Sequence, residues 1–164
     1  MLIEAERNGF PVKIGETEAY LRFDNKAFLN IEQEGFDFLN VSSLGYKAAE
    51  SFLRNGLCCW ANEIGIDECE IAEKLLDAHP PEYISEIIAG GVMFALPKPI
   101  LGMKNKSDAA PDFSHVRFLF CDIMGKPEEL FWELTLREIM ERWDRYAVFM
   151  GYKKAPIEVK RYDD

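Results

Sequence analysis

The chain has 164 residues, 48% hydrophobic and 13% aromatic, with 19 Lys+Arg against 29 Asp+Glu and a formal charge of −10. That length and apolar content suit one domain, or one domain with a smaller appendage, and exclude a chain disordered throughout. The negative balance argues against holding nucleic acid or an anionic membrane by general charge attraction, which Lys and Arg would have to supply.

From Gly9 to Asp24 the pattern is β: Val12 and Ile14 flank Lys13, and alternation resumes at Tyr20 to Phe23 after the polar stretch Gly15-Glu16-Thr17-Glu18. A hairpin closed by that polar turn is expected, its apolar face lying on helices because an isolated hairpin is marginal in water. Helical periodicity then takes over. A short helix is expected over Lys26 to Glu34, ended by Gly35, with Phe36, Phe38, Leu39 and Val41 as an apolar connection. Tyr46 to Ile64 repeats Ala49, Leu53, Gly56, Leu57, Trp60 and Ile64 at spacings of three and four, with Gly65 as the stop. Asp67 and Glu70 resemble a capping box for a helix through His79 that turns Ile71, Leu75 and Ala78 inward. Pro80-Pro81 break it, and Pro81 suits the first turn of the next helix, Glu82 to Ala95.

Charge shifts at this point. Residues 1–97 hold 7 Lys+Arg and 17 Asp+Glu, whereas 98–164 hold 12 of each. Pro97-Lys98-Pro99 opens a Gly, Lys, Asn, Ser, Asp and Pro stretch, so residues 98–112 are expected to be a linker. Ser114 to Met124 is expected to be helical, with a strand left open for HVRFLF. Pro127-Glu128-Glu129 starts another helix, and Thr135-Leu136-Arg137-Glu138 is a capping box for one beginning at Leu136. On that last helix Ile139, Met140, Trp143, Ala147 and Met150 form one stripe, with Glu138/Arg142 and Glu141/Arg145 expected as pairs on the other side. Gly151 stops it.

The expected fold is therefore mainly α with a small N-terminal β-hairpin (α+β): a helical bundle, then a linker and a C-terminal helical module. The units are an acidic domain at 1–97, the linker at 98–112, the helical module at 113–151 and a flexible tail at 152–164. With its own hairpin and helices, 1–97 is expected to fold without the module. The N-terminus has two Glu in its first six residues and no apolar run, so no signal peptide is expected, and Ile87 to Pro97 is too short to cross a bilayer. A cytoplasmic protein is expected.

Few residues of the chain are spaced for chemistry. His79 and His115 have no partner at ligand spacing, and His79 at a helix end is expected to cap carbonyls. Asp67, Glu68, Glu70 and Glu73 lack the alternating ligands and glycine turn of a calcium loop and read as an acidic helix start. Cys58 and Cys59 lie mid-helix with Arg54 as the one cation within a turn, so inert thiols are expected. Gly90-Gly91 lacks a following Lys-Ser/Thr and is expected to let another helix approach. No catalytic residue, cofactor or metal site is expected. What stands out is aromatic density: Phe131, Trp132, Trp143, Tyr146, Phe149 and Tyr152 exceed what a helical hairpin buries on itself. Core and protein–protein contact share the reading equally.

The hairpin ending in Tyr20-Leu21-Arg22-Phe23-Asp24, the Glu32-Gln33-Glu34-Gly35 close and the LRNGLCCWANEIG helix resemble the opening of tail assembly chaperones from long-tailed phages and prophages. Pro127-Glu128-Glu129-Leu130-Phe131-Trp132-Glu133-Leu134-Thr135 with Arg137-Glu138 resembles the PEEFWxLTxxEL stretch of the downstream module in the same system. The likeness covers 10–96 loosely and 126–151 more sharply. It implies a non-enzymatic protein of the bacterial host cytoplasm that binds the tape-measure protein and helps recruit tail tube protein, with no nucleic acid or membrane partner. Phe131, Trp132 and Trp143 are then expected to be the recruitment face or its immediate support. Small residues at Gly56, Ala61, Gly90 and Gly91 are expected to allow close approach of a client helix. Homo-oligomer formation stays open, as do two other readings: a small metal- or thiol-dependent enzyme using the acidic cluster or Cys58, and a prophage protein-interaction adaptor.

Overall fold

Two strands, β1 (Phe10–Ile14) and β2 (Thr17–Leu21), pair antiparallel in a register running from Phe10 opposite Leu21 to Ile14 opposite Thr17. The computed structural model describes residues 9–42, 44–97 and 112–154. The turn is shorter than expected. Only Gly15 and Glu16 lie between the strands, and Thr17 and Glu18 are already paired. Gly15 has φ +63°, and a left-handed first position lets a two-residue turn follow the twist of its strands. Val12, Ala19 and Leu21 form the buried face.

The helices follow in the expected order, each begun or ended by a local device. They are α1 (Asn25–Gln33), α2 (Tyr46–Ile64), α3 (Glu68–Ala78) and α4 (Pro81–Ala95). Asp24 caps α1 by accepting from the Ala27 amide at 2.7 Å. Asp67 does the same for α3 through the Cys69 and Glu70 amides, and Pro81 occupies the first turn of α4. After the expected linker, of which only Asp112 is among the described residues, α5 (Phe113–Arg117) widens into a π-helical turn at Phe118–Ile123. HVRFLF is thus helical, and the strand alternative falls. The last two helices are α6 (Glu128–Glu133) and α7 (Leu136–Phe149). The fold is mostly helical with one small antiparallel hairpin.

Glycine decides how the hairpin seats. A Cβ at Gly56 of α2 would lie 2.8 Å from the Phe23 ring, and one at Gly91 of α4 would meet that ring at 2.8 Å and Leu21 at 3.1 Å. At Gly90 it would sit 2.5 Å from Phe10. Sequence periodicity assigns these glycines to helix–helix or client contact. In the structure the space is taken by the hairpin and by Phe23 just beyond it. Around this seat α2 buries Ala49, Leu53, Leu57 and Trp60 as expected. Ile64, expected inward, is 47% exposed although its neighbour Glu63 accepts from the Tyr20 hydroxyl, and Ala78, expected inward on α3, is exposed too.

The packing does not follow the expected division into domain and module. Val116, Phe120, Phe131, Leu134, Leu136 and Ile139 belong to the same apolar cluster as Leu21, Phe23, Phe28 and Phe52. Phe113 meets the rings of Phe28 and Phe38 edge-on at 6.3 and 5.6 Å. Arg137 donates to the carbonyls of Met93 and Leu96 at 2.7 Å each, tying α7 to the end of α4. Residues 152–154 are described as turn and loop, and the rest of the expected tail lies outside the described residues. Among the described residues no helix is long and apolar enough to cross a membrane.

Candidate functional site

The Leu21-Arg22-Phe23-Asp24 and Phe131-to-Glu138 stretches, more than a hundred residues apart, are bonded to each other. Arg22 grips Glu138 with both terminal nitrogens, at 3.0 and 2.8 Å, and also donates to the Glu133 carbonyl at 3.0 Å. Glu138 accepts at the same time from the Thr135 amide at 2.9 Å, while Thr135 Oγ1 accepts from the Glu138 amide. The capping box that starts α7 therefore also presents the carboxylate to Arg22. A bidentate, charge-assisted pair of this kind fixes orientation as well as adding stability. Next to it the Asn25 amide donates to the Leu134 carbonyl at 3.0 Å, and Asn25 Nδ2 to the Phe131 carbonyl at 2.8 Å. Asn25 is fully buried. These two sequence signatures are the joint of the fold.

That joint sorts the three aromatics expected to form one recruitment face. Phe131 is fully buried against Phe120 and Trp132 and offers nothing to a partner. It is core, and of the expected roles it can hold only that of support. Trp132 is half-buried and lines a groove of about 440 Å³ between α1 and α6, with Leu29 as a second apolar wall and Asp24, Lys26, Glu129 and Glu133 around it. Trp143 is also half-buried but belongs to another surface, at α7, where its ring lies 5.8 Å from Tyr146. Among the described residues no ring contact joins Trp143 to Phe131 or Trp132.

The α7 surface is the larger apolar exposure. Tyr146 donates to the Ile123 carbonyl at 3.3 Å and meets the Tyr152 ring at 6.5 Å. Beyond them Phe149 is 86% exposed, with Met150 and Tyr152 also open to solvent. Met150, expected inward with Trp143, faces out because α7 buries only Leu136, Ile139 and Ala147. Beside this surface runs a groove of about 560 Å³ bounded by Met124, Lys126, Glu138, Glu141, Arg142 and Arg145. The expected pairs Glu138/Arg142 and Glu141/Arg145 do not form among the described residues. Glu138 is drawn to Arg22 instead. The three cations of this groove belong to no chemical motif. Two of them carry a sequence signal, the spacing of Arg142, Arg145 and Phe149 along one helix face.

Comparison with protein-family models, curated proteins and solved structures returns no match.

Burial, then the neighbouring Asp24 charge, pushes the Cys59 thiol up to about 11. Its Sγ approaches Asp24 Oδ2 at 3.8 Å. Burial and the Glu68 charge likewise raise Cys58, the opposite of what a nucleophilic thiolate requires. In the acidic cluster Asp67 caps α3 and Glu70 pairs with Lys74 at 2.7 Å. No group of His, Cys, Asp or Glu among the described residues is placed to hold a metal ion. His79, expected to cap carbonyls, lies against the Tyr83 ring at 4.3 Å.

Proposed function

We propose that the protein is a non-enzymatic tail assembly chaperone of a phage or prophage, binding the tape-measure protein in the host cytoplasm and helping to recruit tail tube subunits. The observation that carries the protein-binding part is the exposed apolar surface at the end of α7, with Ile123 beside it. Aromatic anchors of this type supply much of the binding energy at protein interfaces. Trp132 in the α1–α6 groove offers a second, smaller contact, with Phe131 supporting it from beneath. The negative charge of the first 97 residues would keep a complex with a long apolar client dispersed. The assignment to tail assembly rests on the resemblance of the two signatures.

Co-expression with a tape-measure protein of a long-tailed phage tests the reading. The expected result is a clear rise in the soluble fraction of that client, reduced by Phe149→Ala with Tyr152→Ala. A client equally insoluble with and without this chain, together with no tape-measure gene beside this one, would overturn it. Stoichiometric zinc in the purified protein would favour the metal-enzyme alternative.

A further inference from the structure

The groove beside α7 is not balanced by its own charges. Of its two carboxylates, Glu138 is committed to Arg22, which leaves Glu141 alone against Lys126, Arg142 and Arg145. Lys126, Arg142 and Arg145 form no ion pair among the described residues. Both arginines are exposed, in a chain that carries ten more acidic than basic residues. Arg142, Arg145 and Phe149 follow one another at three and four residues, so a single stripe of α7 leads from the cations to the most exposed aromatic ring among the described residues. Met124 supplies an apolar wall at the cationic end.

We infer that this stripe docks an acidic peptide segment that carries an apolar anchor. Its carboxylates would meet Lys126, Arg142 and Arg145, the guanidinium groups offering paired donors that match a carboxylate. Its anchor would lie along Phe149 and Tyr152. A long polyanion such as a nucleic acid fits less well, because its repeating charge would run out of the groove onto the acidic remainder of the surface. A short segment with a few carboxylates uses the local complementarity alone. This inference rests on reading α7 as a protein-docking face and adds the chemistry of the partner.

The test uses the full chain and fluorescence anisotropy with three labelled probes: an amphipathic peptide with Glu flanking a Trp-Leu anchor, the same peptide with Lys for Glu, and single-stranded DNA. The Glu peptide is expected to bind about tenfold more tightly than the Lys peptide, with affinity falling as salt rises. R142E with R145E is expected to weaken it about tenfold and leave the thermal melt in place, both side chains being exposed and unpaired. Equal binding of both peptides, with loss on Phe149→Ala, overturns the acidic partner and leaves the docking face standing. Binding of neither peptide overturns both. DNA binding as tight as the Glu peptide, or a dimer of the chain that R142E with R145E dissociates, also overturns it, making the occupant a nucleic acid or a second copy.

Discussion

Residues 1–97 carry 17 acidic against 7 basic side chains, and residues 98–164 carry 12 of each. In charge the two stretches look like separate units. In packing they are not, since Phe131, Leu134 and Ile139 share one cluster with Leu21, Phe23 and Phe28. Charge resides on exposed side chains and can change along a chain without touching the interior. The interior is set by which apolar faces must cover one another, and here Phe28 of α1 and the neighbouring Phe38 are covered by Phe113 of α5, while α6 is bonded to Asn25 of α1. A step in charge, even beside a Pro- and Gly-rich stretch, is weak grounds for a domain boundary.

Truncation after residue 97 is the strongest way to break this comparison. It would uncover Phe28 and Phe38, remove the carbonyl partners of the buried Asn25, and take Glu138 and Glu133 from Arg22. An unpaired buried polar group costs about 1–3 kcal/mol on top of the lost apolar burial. The fragment is expected to show no cooperative melt by circular dichroism and to aggregate on gel filtration. A monomeric fragment with a sharp melt would restore two independent units.

A neighbouring pair of substitutions sharpens it. Phe131→Ala should cost about 3–5 kcal/mol in denaturant unfolding, as for a fully buried Phe. Trp132→Ala, at the half-buried groove, should cost clearly less and act instead on client solubility. If the two lose stability equally, Trp132 is core and its groove is not a contact site.

The smallest effects concern the hairpin seat. Alanine gains about 1 kcal/mol over glycine in a helix interior, whereas overpacking costs about 1–3 kcal/mol. Gly56→Ala and Gly91→Ala meet the fully buried Phe23 ring and should be net destabilising by up to about 2 kcal/mol in the same unfolding measurement. Gly90→Ala meets Phe10, which is only partly buried and can swing aside, so it should be close to neutral. Equal losses at all three would mean that Phe10 is held as firmly as Phe23.

Much of the fold was legible because its signals are local. Asp24, Asp67 and Thr135 start helices through contacts within about one turn, Pro81 does so by its fixed backbone angle in the first turn, and Gly65 ends one with its left-handed backbone at φ +74°. Capping and periodicity span three or four residues, so a reader of the sequence sees both partners at once. The candidate site was legible only as an excess of aromatics. Phe131 and Trp132 are adjacent, yet one is core and the other lines a groove. Which side of a short helix faces inward depends on what the rest of the chain lays against it.

The sequence by itself determined the hairpin, the helices and their caps, together with the uneven charge. Only the tertiary structure decided that Glu138 turns to Arg22, 116 residues away, rather than to Arg142 one turn along. A partner held by a rigid fold in paired geometry outcompetes an exposed neighbour on the same helix, where the gain is a few tenths of a kcal/mol. That choice closes the joint between the two halves and leaves Arg142 without its expected partner, exposed beside Arg145.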